Sequence, residues 1–267
     1  MKNQKNVIFI CNNDIFFTLP TIYSLKKNEK LLNIKIDKII ISKYIDKNTS
    51  TIKRLKLVND LGNVFQTLLF IIYLIVRRIV HLLNGVISYK HLAKKYDTEL
   101  HVVDSIKSVG LEKIEELSKS VEFGLIMVDE IIDKSFIDKF GKLLINKHSS
   151  MLPEGKGLYP YVRIFTNNLV PGVSFHEVNE KLDSGKVFFQ EEIDKSLTSS
   201  LVNFYNYIFS NYYIYLDKCI KNIDNNISVD NEYKSSYFSI PNKKTTQLFK
   251  NTGGKLIKFE DFFNLLN

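Results

Sequence analysis

The sequence predicts an α/β fold in which a mostly parallel sheet carries helices on both faces. Three observations point there. Asn6–Asn12 carries the uninterrupted apolar run Val7–Cys11, as a strand buried on both faces does, and Ile34–Ser42 is a second strand rich in isoleucine. A helix-spaced stretch, Ile15 to Leu25, separates them, so the pair forms a strand-helix-strand unit whose strands run parallel, in a Rossmann-like manner. Apolar runs and helical segments then keep alternating as far as residue 150.

The first turn, Asn12-Asn13-Asp14, offers a helix cap but no glycine. A dinucleotide-binding fingerprint or a Walker loop needs glycine where backbone amides approach phosphate, so both are disfavoured. Residues 43–60 read as a polar, lysine-rich loop. Val64 to Leu83 is apolar nearly all round, broken by Arg77 and Arg78, and its uninterrupted run falls short of the roughly 20 residues that span a bilayer. The first reading is a buried or dimer-interface helix, the second a helix in peripheral membrane contact, the third a true span. Tyr89–Tyr96 (helix), Glu99–Val103 (strand), Leu111–Ser120 (helix), Gly124–Val128 (strand) and Ser135–Phe140 (helix) lead to a strand beginning at Leu143.

Beyond it, Tyr159–Asn167 reads as a helix and Gly172–Glu177 and Lys186–Glu191 as strands. Thr198–Ile223 reads as one long helix whose tyrosine and phenylalanine stripe belongs to the core. The tail holds Tyr237–Pro241, a short helix ending at Lys250, a Gly253-Gly254 break and an amphipathic end at Phe259–Leu266. Two parts are expected: a catalytic domain over residues 1–195, and a C-terminal helix with a small α+β extension over 196–267.

Composition narrows the class. A chain of 267 residues, 45% hydrophobic, can bury a large core. The net charge of +8 is almost all lysine, with arginine only at 54, 77, 78 and 163, and reads as a solvated surface with no nucleic-acid partner. Cys11 and Cys219 lie far apart without metal-type spacing, which points to a reducing compartment and a cytoplasmic location. The N-terminus leads into a short apolar strand with no small-residue cleavage site, so no signal peptide is expected.

The chemistry concentrates in three pieces. Asn146-Lys147-His148-Ser149-Ser150-Met151-Leu152-Pro153 closes an apolar strand, at the sheet edge where open α/β sheets bind ligands. Strand alternation sends Asn146 and His148 to one side and Lys147 to the other. Gly172-Val173-Ser174-Phe175-His176 and Leu182-Asp183-Ser184-Gly185 add a second histidine and a carboxylate in a turn. No serine lies in a G-x-S-x-G elbow, which disfavours a hydrolase triad. His148, His176 and Asp183 lack the closed spacing of a metal site, and no metal is expected. An amide and an imidazolium that donate to an oxyanion, with a carboxylate orienting the histidine, suit acyl transfer without a covalent enzyme intermediate.

Asn146-x-His148-x-Ser150-x-Leu152-Pro153, followed by Gly172-Val173-Ser174-Phe175-His176 and Asp183-Ser184-Gly185, resembles the signature of the folate-dependent formyltransferases. Element order extends the resemblance over roughly residues 5 to 195. It implies 10-formyltetrahydrofolate as formyl donor and an amine as acceptor. Asn146 would hold the formyl oxygen, His148 would stabilise the oxyanion and move a proton, and Asp183 would raise the basicity of the imidazole and relay the proton leaving the amine. Val128, Asp129, Glu130 and Leu182 match positions that meet the folate. Ser150 and His176 match supporting positions toward the acceptor, and Lys156, Tyr159 and Arg163 carry side chains suited to phosphate and sugar. Two departures stand out: Asp129-Glu130-Ile131-Ile132 where relatives carry a longer, glycine-containing loop, and Lys147 where an uncharged residue is customary.

The turn after the first strand lacks the Gly/Ser-rich phosphate loop of the glycinamide ribonucleotide branch, and the tail is too short for the barrel domain of the methionyl-tRNA branch. The chain is most similar in type to the nucleotide-sugar N-formyltransferases of surface-glycan (lipopolysaccharide) synthesis; the alternatives are formylation of methionyl-tRNA or another small amine, and a non-catalytic relative acting as a binding protein. The expected partners are a nucleotide-linked amino-sugar and a second copy of the chain.

Overall fold

The computed structural model describes residues 4–44, 51–230 and 233–265. Strand β1 (Lys5–Asn12) leads through helices α1 (Thr18–Lys27) and α2 (Glu29–Leu32) to β2 (Ile34–Ser42). Helices α3 (Thr51–Leu61), α4 (Val64–Leu83) and α5 (Tyr89–Lys95) precede β3 (Glu99–Val103). There follow α6 (Leu111–Ser118), β4 (Phe123–Met127), α7 (Lys134–Phe140) and β5 (Leu143–His148). The second half comprises β6 (Lys156–Gly157), α8 (Pro160–Asn167), β7 (Gly172–Glu177), β8 (Val187–Glu192), α9 (Leu201–Ser210), α10 (Tyr212–Asp224), β9 (Tyr237–Phe238) and α11 (Lys243–Asn251).

Seven strands form one sheet in the order β3-β2-β1-β4-β5-β7-β8. The first five are parallel, and β7 and β8 add antiparallel strands at one edge. The Rossmann-like, mostly parallel sheet expected from the alternating runs is the observed one. β1 explains the pattern: Val7, Phe9 and Cys11 join one core cluster while Ile8 and Ile10 join another on the opposite face. A central strand covered on both sides has no polar face to show. α6 and α7 cover one face through Ile114, Leu117, Phe136 and Phe140, and α1, α5, α8, α9 and α10 cover the other. Chain order reverses between β1 and β4, which opens a crevice at their C-terminal ends.

Three elements differ from the sequence reading. Within the stretch read as loop, Thr51–Leu61 is a helix. Leu57 packs on the core and Leu61 is buried in it, an amphipathic pattern obscured by the lysines between. The long helix read over 198–223 breaks at Asn211, whose amide donates to the Tyr207 carbonyl at 2.8 Å and so satisfies the end of α9 before α10 begins. Phe204, Ile208, Tyr212, Tyr215 and Leu216 from these helices belong to the main core, so packing continues across residue 195.

α4 is a single 20-residue helix, capped by the Asn63 side chain, and is long and apolar enough to cross a membrane by length and composition. The expectation of burial fails for most of it: only Tyr73 and Arg77 are buried. The Arg77 guanidinium donates to the Phe16 carbonyl at 2.8 Å, the Tyr73 hydroxyl at 3.0 Å and Asn206 Oδ1 at 2.6 Å, and lies over the Phe17 ring. Tyr73 meets Phe262 edge-on at 5.4 Å. These contacts seat one face of α4 on the protein. Arg77→Ala should lower stability by about 2–4 kcal/mol, since each hydrogen bond to a charged group contributes about 1.5–3 kcal/mol. Urea unfolding checks this, and a loss under about 0.5 kcal/mol would mean that Arg77 does not anchor the helix.

Candidate active site

The antiparallel β5–β7 pair sets Asn146 opposite His176 and His148 opposite Ser174. Directly opposed residues share a face, so all four point to one side of the sheet while Lys147 and Phe175 point to the other. Asp183 enters from the turn before β8, at φ +49, in the left-handed region. Its Oδ2 accepts the Gly157 amide at 2.8 Å and lies 3.7 Å from His148 Nδ1, while its Oδ1 lies 3.6 Å from His176 Nε2. Gly157 is required there: its φ is +93, and a Cβ would stand 2.2 Å from the Phe238 carbonyl oxygen.

Hydrogen bonds fix the tautomers. His148 Nε2–H donates to the Gly155 carbonyl at 2.8 Å, which leaves the Nδ1 lone pair of the neutral ring facing Asp183. His176 Nδ1–H donates to the Glu177 carbonyl at 2.8 Å, and its Nε2 accepts from Asn146 Nδ2 at 3.3 Å. One Asn146 N–H is thereby held and the second is left to aim outward. Burial pushes the His148 imidazole below its ordinary range, against the pull of Asp183. Burial likewise pushes His176 down to about 4. Both rings are neutral near pH 7, and His148 is equipped to accept a proton at Nδ1.

A narrow cleft of about 70 Å³ opens beside Asn146 and Asp183, with apolar walls that include Ile126, Val128, Ile132, Val178 and Leu182. Of the four residues matched to folate contacts, Val128, Glu130 and Leu182 line this cleft. The Glu130 carboxylate, however, is spent inside the protein: it accepts from the Ile106 amide at 2.9 and 3.0 Å and from the Ser42 and Ser105 hydroxyls. Asp129 lies on the opposite side, 3.2 Å from Arg54. Among the described residues, no group of three or more His, Cys, Asp or Glu is arranged to hold a metal ion.

A second cleft of about 710 Å³ occupies the crevice on the other face, at the ends of β1, β4 and β5, where Asn12, Asp14, Met127, Asp129 and Lys147 line it. Arg54 and Asp129 also border a third, apolar hollow of about 490 Å³ that Tyr159 and Tyr205 line. Lys147 is the residue whose role the sequence left open. Its Nζ bonds Ser149 Oγ at 3.0 Å and sits 4.3 Å from the Phe209 ring centre, and burial lowers its pKa to about 8. Arg54 escaped notice because its helix read as loop.

The residues matched to the acceptor sit in different surroundings. Arg163 is buried, donates to the Ser239 carbonyl at 2.8 Å and lies over the Phe238 ring, so it pins the tail and lines none of the clefts described above. Ser150 is buried and donates to the Glu154 carbonyl at 2.7 Å. His176, 2% exposed, sits behind Asn146. Lys156 bonds Ser184 Oγ at 3.0 Å and lines a groove beside Pro153 that Asp183 also borders. Tyr159 alone of the five opens toward the crevice side.

Residues 109–210 match the family profile described as formyl transferase. The methionyl-tRNA formyltransferase of Fusobacterium nucleatum is 40% identical over 77 residues, 28% of this chain and 23% of that protein. The chain spans from about a quarter to about half of the length of the curated relatives it matches. A sugar N-formyltransferase from a Shewanella species superposes with a TM-score of 0.54 at 16% identity, covering 88% of this chain and 77% of that one. An N-formyltransferase from Helicobacter canadensis, solved with folinic acid and dTDP-3-aminofucose, gives a TM-score of 0.53 at 21% identity, covering 89% and 71%. At these identities the solved structures share the fold.

The neutral histidines give the fold an acid limit. A group whose folded pKa is depressed contributes stability that is present above its unfolded pKa and lost as pH falls through the folded one. For His176 that window runs from 6.5 down to about 4. Unfolding free energy should therefore fall as pH is lowered through this range, and His176→Gln should flatten the slope. An unchanged slope in the variant would show that His176 is not buried neutral.

Proposed function

We propose that this chain, whose residues 109–210 fall in the formyl transferase family, is an N-formyltransferase that moves a formyl group from 10-formyltetrahydrofolate to a primary amine. The amine we assign is that of a nucleotide-linked amino-sugar used in surface-glycan synthesis. The observation that carries this reading is the grouping of Asn146, His148 and Asp183 at the end of β5, where Asn146 and Asp183 line the apolar cleft and the neighbouring Lys147 lines the wider one.

The folate cosubstrate supplies an activated formyl carbon, and the residues present fit it. The apolar walls beside Val128 and Leu182 would hold its ring, with Asn146 and Asp183 at the end where the formyl group reacts. The free Asn146 N–H would bind the formyl oxygen. Attack by the neutral amine puts negative charge on that oxygen and positive charge on the nitrogen. Asp183 would take the proton shed by the amine and pass it to His148 Nδ1, whose N–H would then face the oxyanion. Collapse would restore the formyl carbonyl as the folate nitrogen departs with that proton from His148.

The acceptor reading draws on the second cleft. A nucleotide-sugar carries a diphosphate, and Lys147 and Arg54 are cations placed to meet it, with the Phe209 ring beside them. Two of the solved neighbours are named as sugar N-formyltransferases or hold an amino-sugar nucleotide. The curated methionyl-tRNA formyltransferases favour a second reading, in which the amine is that of an aminoacyl-tRNA. Incubation with 10-formyltetrahydrofolate and a panel of amino-sugar nucleotides, read by mass spectrometry, separates the two. Formylation of methionyl-tRNA with refusal of every sugar would discard the sugar assignment.

Asn146→Ala, His148→Ala and Asp183→Ala should each lower kcat by about 10²–10³, with folding retained and combined changes far from additive. Near-normal turnover in His148→Ala would remove this mechanism. The pH profile of kcat/KM should have its acid limb below 6.5, set by the depressed His148, and an alkaline fall near 8, as Lys147 loses its charge. Lys147→Met should raise the KM for a phosphate-bearing acceptor about tenfold and abolish the alkaline fall. A fall that persists in the variant belongs to another group.

A further inference from the structure

Outside the site, the most conspicuous unpartnered feature is one face of α4. Phe65, Leu68, Ile72, Ile75, Ile79 and Leu82 lie on it, each between 45% and 71% exposed. Their spacing alternates three and four, the seam of a paired helix. Tyr73 and Arg77, on the opposite side, hold the helix to its own core. With Val64, Ile71 and Leu83 at its margins, the face offers on the order of 1,000 Å² of apolar surface, where the largest patch on a monomer is typically about 300–600 Å².

We infer that α4 pairs with α4 of a second copy of this chain, antiparallel across a two-fold axis. Area supports this: two such faces together reach the roughly 1,200–2,000 Å² of a stable interface. Shape supports it too, because the seam reads alike in both directions. On reversal Phe65 meets the partner's Leu82, Leu68 meets the partner's Ile79, and Ile72 meets the partner's Ile75, so an isologous contact leaves no seam position unmatched. Antiparallel pairing also sets each helix N-terminus against the other's C-terminus.

Charge decides between a second copy and a lipid surface. A helix that lies on a membrane carries free lysine or arginine along its polar flanks to meet lipid phosphate. In α4 the only lysine or arginine residues are Arg77, buried in the core, and Arg78, whose guanidinium donates to the Val86 and Ile87 carbonyls of its own chain. The exposed seam is uncharged and self-complementary, which suits another α4.

Light scattering on the eluting full chain at micromolar concentration should give twice the chain mass. Ile72→Glu with Ile75→Glu sets carboxylates against each other, and should yield a monomer with unchanged circular dichroism and at least a hundredfold weaker association. Both positions are exposed, so the variant tests pairing and not folding. Phe65→Cys mixed with Leu82→Cys should form a crossed disulfide dimer, whereas Phe65→Cys alone should not; Cys11 and Cys219 are buried. A monomeric parent chain, or a double-Glu variant that stays dimeric, overturns the proposal. So does a parent chain that sediments with phosphatidylcholine/phosphatidylglycerol vesicles and not with itself. Self-crosslinking of Phe65→Cys overturns the antiparallel arrangement.

Discussion

The antiparallel pairing of β5 with β7 is the constraint on which the rest of the site depends. It places the Asn146 amide and two imidazoles on one buried face of a sheet, where each polar atom must find a partner or cost a few kcal/mol. The partners are backbone carbonyls at Gly155 and Glu177, which take one N–H from each histidine. Those bonds select the tautomers and turn the remaining ring nitrogens toward Asp183 and Asn146. Ionisation of either ring is opposed by the same burial, so the arrangement stores two neutral bases beside a carboxylate.

Support for that arrangement comes from far along the chain. Ser236 Oγ accepts the Gly155 amide at 2.9 Å, its carbonyl accepts the Lys156 amide at 3.0 Å, and its amide donates to the Pro153 carbonyl at 3.2 Å. β9 then pairs with β6, which carries the Gly157 amide that holds Asp183. Arg163, stacked on Phe238 and bonded to Ser239, clamps the same short pair from α8. The tail is thus part of the scaffold of the loop after β5.

Much of this was legible in the sequence because it is local. A continuous apolar run such as Val7–Cys11 marks a strand covered on both faces, and period-two alternation alone separates Asn146 and His148 from Lys147. The pairing of His176 with Asn146 was not legible, since register between distant strands leaves no mark in either. Arg163 misled for a related reason: its type suits phosphate, but only the fold shows that Phe238 and Ser239 already occupy it. The helix at Thr51–Leu61 was hidden by lysines that face solvent, and the break at Asn211 by an unbroken aromatic pattern on both sides of it.

Asn146 and Lys147 are consecutive, yet one borders the narrow apolar cleft and the other the wide polar crevice. A single peptide bond therefore serves as the wall between two compartments whose linings come from different elements. Asn12, Arg54 and Phe209 line only the second of the two, so substitutions there leave the lining residues of the first unchanged. Such a partition lets selection explore new occupants on one side while the opposite side stays fixed, so divergence within this architecture should accumulate asymmetrically about β5.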